Sequence, residues 1–214
     1  MNKTLLTTIA ASAVAMGAFA QGQFTLSASS GLVKFSTDSG ATTANISPVN
    51  GQATIAGQGS VTIQVWSATA GTAVAGTASV APTLSGGWAL DTFNLIKIFP
   101  QAGAISPTTI VTPAGSGAVS GGNVEVEIVG WAGTATTFAQ AVADNDLVGW
   151  SGAKGLGPLG WLQATAVAPN GTPPTTTAAN GGFSGLVLQQ VPEPTTLALG
   201  GLGAAALLMF RRRK

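Results

Sequence analysis

The sequence predicts a mainly β protein, with a single jelly-roll-like β-sandwich over residues 21–190, a signal peptide at 1–20 and a transmembrane helix near the C-terminus. Three observations lead there. Glycine supplies 30 of 214 residues, and short strand-like runs recur between Gly, Ser, Asn and Pro, the punctuation of a sandwich or barrel. Two runs, 60–66 and 123–131, alternate apolar and polar residues at period two, as strands do. Both termini are apolar blocks flanked by cations.

The N-terminus has the order of a secretory signal: Lys3, an apolar region over 5–19, then Ala18-Phe19-Ala20 as a small-x-small site. Cleavage is expected between Ala20 and Gln21, after passage through the secretion translocon. Residues 24–26 and 32–35 read as early strands, and 45–51, which contains Pro48, as a loop. In 60–66, Val61, Ile63 and Val65 share one buried face. The apolar positions of 88–99 suggest another buried strand, and 109–111 a short one. In 123–131, the strongest strand pattern of the chain, Val124, Val126 and Ile128 are expected to face inward and Glu125 and Glu127 outward. Thr137 and Gln140 then have capping-box spacing for a short helix ending near Ala143. Residues 155–162 read as a turn into a short strand, 168–182 as a Pro- and Thr-rich loop, and 183–190 as a last apolar strand that runs directly into Val191. A shift of 65 residues superimposes Val61, Ile63, Trp66, Thr69 and Ala70 on Val126, Ile128, Trp131, Thr134 and Ala135, which suggests a duplicated hairpin.

Composition narrows the chemistry. Between residues 21 and 190 the only cations are Lys34, Lys97 and Lys154, against six carboxylates, for a net charge of −3. Such a surface cannot neutralise a phosphate backbone, so nucleic acid is excluded as a main partner. The chain has no Cys, His or Tyr. Ser-His-Asp and Cys-His arrangements cannot be assembled, and zinc lacks its usual ligands. A non-enzymatic protein without a cofactor is the expectation.

Three groups of residues could still carry a function. Glu125 and Glu127 lie roughly 6.6 Å apart along a strand, near the spacing of inverting glycosidases, and they define one alternative, a carboxylate-only glycan-active enzyme. Asp144 and Asp146 offer oxygen ligands to calcium, although Asx residues also occupy turns for their own backbone hydrogen bonds. Trp150 and Trp161, placed beside glycines, are expected to be exposed and could stack on sugar rings, the other alternative being a carbohydrate-binding module; Trp66 and Trp131, at strand ends, read as core.

The C-terminus is the most specific feature. Val191-Pro192-Glu193-Pro194-Thr195-Thr196 precedes an uncharged apolar run over 197–210, and Arg211, Arg212, Arg213 and Lys214 end the chain. Fourteen apolar residues rise only about 21 Å as a helix. The span therefore extends over 195–210 and is short for a bilayer. The basic cluster keeps the terminus cytoplasmic and everything before Val191 outside. Pro192 and Pro194 hold the approach extended and accessible.

This three-part tail, residues 191–214, resembles the bacterial PEP-CTERM sorting signal. The resemblance implies recognition of Pro192-Glu193-Pro194 by exosortase, a membrane transpeptidase, and a setting of exopolysaccharide or biofilm. The body is similar, over residues 60–152, to a recurrent type of PEP-CTERM protein through Gln64-Val65-Trp66, Gly130-Trp131 with Thr136-Thr137-Phe138, and Gly149-Trp150-Ser151. The expectation is an exported surface or extracellular-matrix protein, membrane-anchored before processing and in contact with exopolysaccharide.

Overall fold

A computed structural model describes residues 22–29, 31–38, 42–49, 52–77, 79–91, 102–113, 121–153, 159–167 and 183–191. The expected signal peptide, the loop at 168–182 that follows Val167, residues 92–99 of the expected strand over 88–99 and everything beyond Val191 lie outside them. Among the described residues the protein is mainly β, and no helix is long and apolar enough to cross a membrane.

The centre is a pair of long strands, β6 (Gly59–Thr69) and β9 (Asn123–Ala132), antiparallel from Val61 opposite Ala132 to Thr69 opposite Val124. The Val, Ile and Trp positions of the two motif copies fall on these two strands. Gln64 pairs with Val129, its own counterpart in the shift, so a local twofold at that pair relates the copies. Trp66 consequently lies opposite Glu127, and Thr62 opposite Trp131.

Shorter strands line the outer edges of this pair. On β6 they are β5 (Gln52–Ile55) at the start and β7 (Ala89–Leu90) near the end, with β4 (Ser47–Val49) beyond β5. On β9, β10 (Leu147–Trp150) pairs the C-terminal half and β11 (Trp161–Ala164) the N-terminal half. The expected loop at 45–51 therefore contains a strand. Among the described residues β4 ends the sheet, where a proline's missing N–H breaks no ladder.

Among the described residues there are two further sheets. β1 (Gly22–Ala28) pairs with β8 (Ile105–Val111) and with β12 (Ala166–Val167). β2 (Val33–Phe35) pairs with β3 (Ala44–Asn45) and, in parallel, with β13 (Leu186–Leu188).

The β9 sheet is buried on both faces. On one, Val124, Val126, Ile128 and Ala132 share a core with Phe24 and Leu26 of β1, Ile110 of β8, Val33 of β2, and Phe183, Leu186 and Leu188. On the other, Val129 and Trp131 pack with Val148, Trp150 and the helix α1 (Phe138–Ala143) through Phe138 and Ala141. The Thr137 hydroxyl caps α1 by accepting from the Gln140 N–H at 3.1 Å. Gln140 returns its side chain to the Thr136 N–H rather than to that of Thr137, one residue out of capping-box register.

The last strand is held on both sides. β13 lies beside β2, and Gln189 exchanges two backbone hydrogen bonds with Val148 of β10, both 2.9 Å. A pair of opposed glycines makes room for it. A Cβ on Gly130 would stand 2.9 Å from Leu186 Cδ2, and one on Gly149 would collide with the Val187 carbonyl. Gly149→Ala should therefore overpack the joint, costing about 2–3 kcal/mol, read as a lower urea midpoint with an unchanged m-value.

Candidate functional site

All five indoles have their N–H satisfied, and four serve the fold. Trp131, 1% exposed, donates to the Ala135 carbonyl at 2.8 Å and meets the Phe138 ring at a centroid distance of 6.3 Å. Trp150, also 1% exposed, donates to the Thr77 carbonyl at 3.0 Å, and Trp88 to the Ala73 carbonyl at 3.3 Å, so both fasten the 70–84 segment onto the sheet. Trp161 is buried against Phe183 and donates to Gln163 Oε1 at 3.2 Å. The expectation that Trp150 and Trp161 are exposed is thus corrected. Trp150 sits in β10 with both neighbours buried, and Trp161 points into the core from β11. Neither can receive a sugar.

Trp66 differs. It is half-buried, its N–H donates to Gln64 Oε1 at 3.3 Å, and it lines a groove of about 530 Å³. The walls come from β6 (Gln64, Trp66), the 81–84 stretch of the fastened segment, Leu90 of β7, and the N-terminal turn of α1 with Thr136, Thr137 and Phe138. No lining residue is charged. Sequence reading assigned Trp66 to the core because it ends an alternating strand. The missed signal was the repeat itself: Trp131 is followed by a helix that covers it, whereas Trp66 is followed by a Gly- and Ala-rich segment without one.

Glu127 is fully buried rather than outward, which corrects the sequence expectation. Its parity mates on β9, Val129 and Trp131, are core residues, so the face it shares is covered. It sits where β9 changes edge partner from β10 to β11. There it accepts 2.8 Å from Ser151 Oγ and 2.7 Å from the Gly160 N–H. Burial, with a smaller contribution from the charge of Glu125, pushes its carboxyl up to about 8 despite those donors. Glu125 is half-buried and accepts from the Gly71 N–H at 3.2 Å. Both carboxylates converge on Gly160, and neither lines the groove.

A second buried acid, Asp91, escaped notice in the sequence. It follows β7, accepts 3.3 Å from Ser67 Oγ, and leaves Oδ2 without a hydrogen bond. Burial pushes it up to about 8 as well. Its signal was its position between the apolar residues 88–90 and the stretch 93–99, apolar but for Asn94 and Lys97.

The Asp144, Asn145, Asp146 stretch closes α1. Asp144 is the C-cap, Asn145 takes φ 59°, and the Asp146 N–H returns to the Ala141 carbonyl at 2.9 Å. Partial burial beside Gly133, then the charge of Asp144, raises the Asp146 carboxyl. Among the described residues no three of His, Cys, Asp and Glu gather as a metal site.

Val191 packs against the same apolar cluster as the groove-lining Trp66, Ala81, Leu84 and Val142. Residues 190–214 match the family model of the PEP-CTERM protein-sorting motif. PEP-CTERM signals are processed by exosortase, so an exosortase partner, export and membrane anchoring before processing come with the signal. No curated protein and no solved structure matches the chain.

Proposed function

From a chain that carries the PEP-CTERM sorting signal, we propose a non-enzymatic protein of the cell surface or extracellular matrix, whose body is a β-sandwich displayed after exosortase has processed its tail. The observation that carries this reading is the joint between body and address. Val191 packs on the core, so the motif begins directly at the fold and a processed protein stays close to whatever receives it. The layering of the β1 and β13 sheets over one face of the β9 sheet supports the sandwich.

Two features support a non-catalytic role. The sequence has no His or Cys, and the paired carboxylates Glu125 and Glu127 hold backbone and hydroxyl donors of the protein. An exopolysaccharide or biofilm setting fits the sorting signal and an uncharged groove on the displayed body.

The proposal is tested in the host by removing residues 191–214 and fractionating the culture. The truncated protein should leave the cell surface for the medium in a folded state. Unchanged association with cells would show that the body holds itself there and that the tail is not what places it.

A further inference from the structure

We propose that the groove walled by Trp66 is a binding site for a neutral glycan chain, a reading that deepens the surface role above and rests on it for its biological context. The volume, about 530 Å³, is that of sites which take small ligands. What distinguishes the groove from a packing defect is its chemistry. Its indole is half-open, whereas the twofold-related Trp131 is closed over by Phe138 and the Ala135 carbonyl. An indole face takes the C–H face of a pyranose ring, because each offers a broad apolar surface bordered by polar atoms.

Polar groups stand around that face and are not used up by the fold. Gln64 spends its carbonyl oxygen on the Trp66 N–H, and its amide nitrogen makes no hydrogen bond among the described residues. The exposed Thr83 hydroxyl makes none either, and the Thr137 hydroxyl accepts from Gln140 N while its own proton stays available. These are donors and acceptors suited to sugar hydroxyls. With no charged side chain in the lining, a uronate or phosphate group would gain no counter-charge, so the ligand class is neutral.

The walls are also braced in a way that suits recognition. The 81–84 wall belongs to the segment that Trp150 and Trp88 hold down, and the opposite wall is the capped start of α1. A pre-formed site of this kind avoids the ordering cost of binding.

The test is affinity electrophoresis of the protein purified from its host through gels containing dextran, starch, cellulose derivatives, galactomannan or, as the anionic control, alginate. At least one neutral polymer should retard the wild type, and alginate should not. Trp66→Ala should weaken that retardation by about tenfold or more, with Trp66→Phe restoring part of it. Thr83→Arg, at an exposed position on the rim, should weaken it with the near-ultraviolet dichroism unchanged, which separates loss of the site from loss of the fold. A wild type retarded by none of the neutral polymers would overturn the proposal. Retardation that survives both Trp66→Ala and Thr83→Arg would overturn it too, by placing the sugar elsewhere. Either failure leaves the sorting reading intact, since that is judged by the chain's location and termini.

Discussion

Glu127→Gln should remove about half of the stability that the protein loses when pH is raised from about 4 to about 8. Burial lifts the carboxyls of Glu127 and Asp91 to about 8. In the unfolded chain both would titrate in the ordinary range near 4. Between those values the folded state holds two protons that the unfolded state has released, so stability declines as pH rises. The contribution is fully present below the unfolded pKa and is lost by the time pH passes the folded one. For each group the loss is about 4–5 kcal/mol across the window.

Glutamine suits the site because it is neutral at every pH. It can accept from the Gly160 N–H with its oxygen and donate to Ser151 Oγ with its nitrogen, the positions that Glu127 now occupies. Urea denaturation at pH 5, 7 and 9 should show the variant near wild-type stability at pH 5 and clearly above it at pH 9. Asp91→Asn should remove most of the remaining slope, the raised Asp146 carboxyl accounting for a smaller part. An unchanged slope in Glu127→Gln would mean that the carboxyl titrates normally and that its surroundings are wetter than the fold implies.

Trp131→Ala should cost about 3–5 kcal/mol, enough to remove a large share of the stability of an ordinary domain. The indole is enclosed by Phe138, Val148 and Trp150, so its deletion leaves a cavity beneath α1 and strands the Ala135 carbonyl that it satisfied. The related change Trp66→Ala opens onto an existing groove, and its hydrogen bond is to a side chain that can turn to water. It should cost less than half as much. Denaturant midpoints of the two variants measure the difference, and equal losses would contradict the asymmetry between the two copies of the repeat.

The strands were legible in the sequence because period-two alternation reports which residues share a face. Residues 60–66 and 123–131 fall inside β6 and β9, and 137–143 contains a capped helix. Alternation does not report what covers each face. Val124, Val126 and Ile128 do face the core, yet Glu127 is buried on the other side, because α1 and the tryptophans form a second apolar layer there. The warning lay along the same strand, where the parity that begins with Glu125 and Glu127 continues as Val129 and Trp131.

Trp150 was misplaced for a related reason. Gly149 drew attention as a turn residue, while Leu147-Val148-Gly149-Trp150 is a short run with no exposed position, the pattern of a strand buried on both faces. Its glycine serves a close approach by β13 rather than a turn. The groove was legible only through the repeat, as the one of two equivalent tryptophans that no helix follows, and its walls depend on tertiary packing that alternation does not report. The address was the most legible part, because its three pieces are consecutive in the chain and owe nothing to tertiary packing.

The central claim is that this chain is a body delivered by its tail, and the mass of the mature protein from its host tests it most directly. An N-terminus at Gln21 and a C-terminus between Pro192 and Thr196, with the segment through Lys214 gone, is the predicted result. A mature protein that still ends in Lys214 would contradict processing and leave the tail as a permanent anchor.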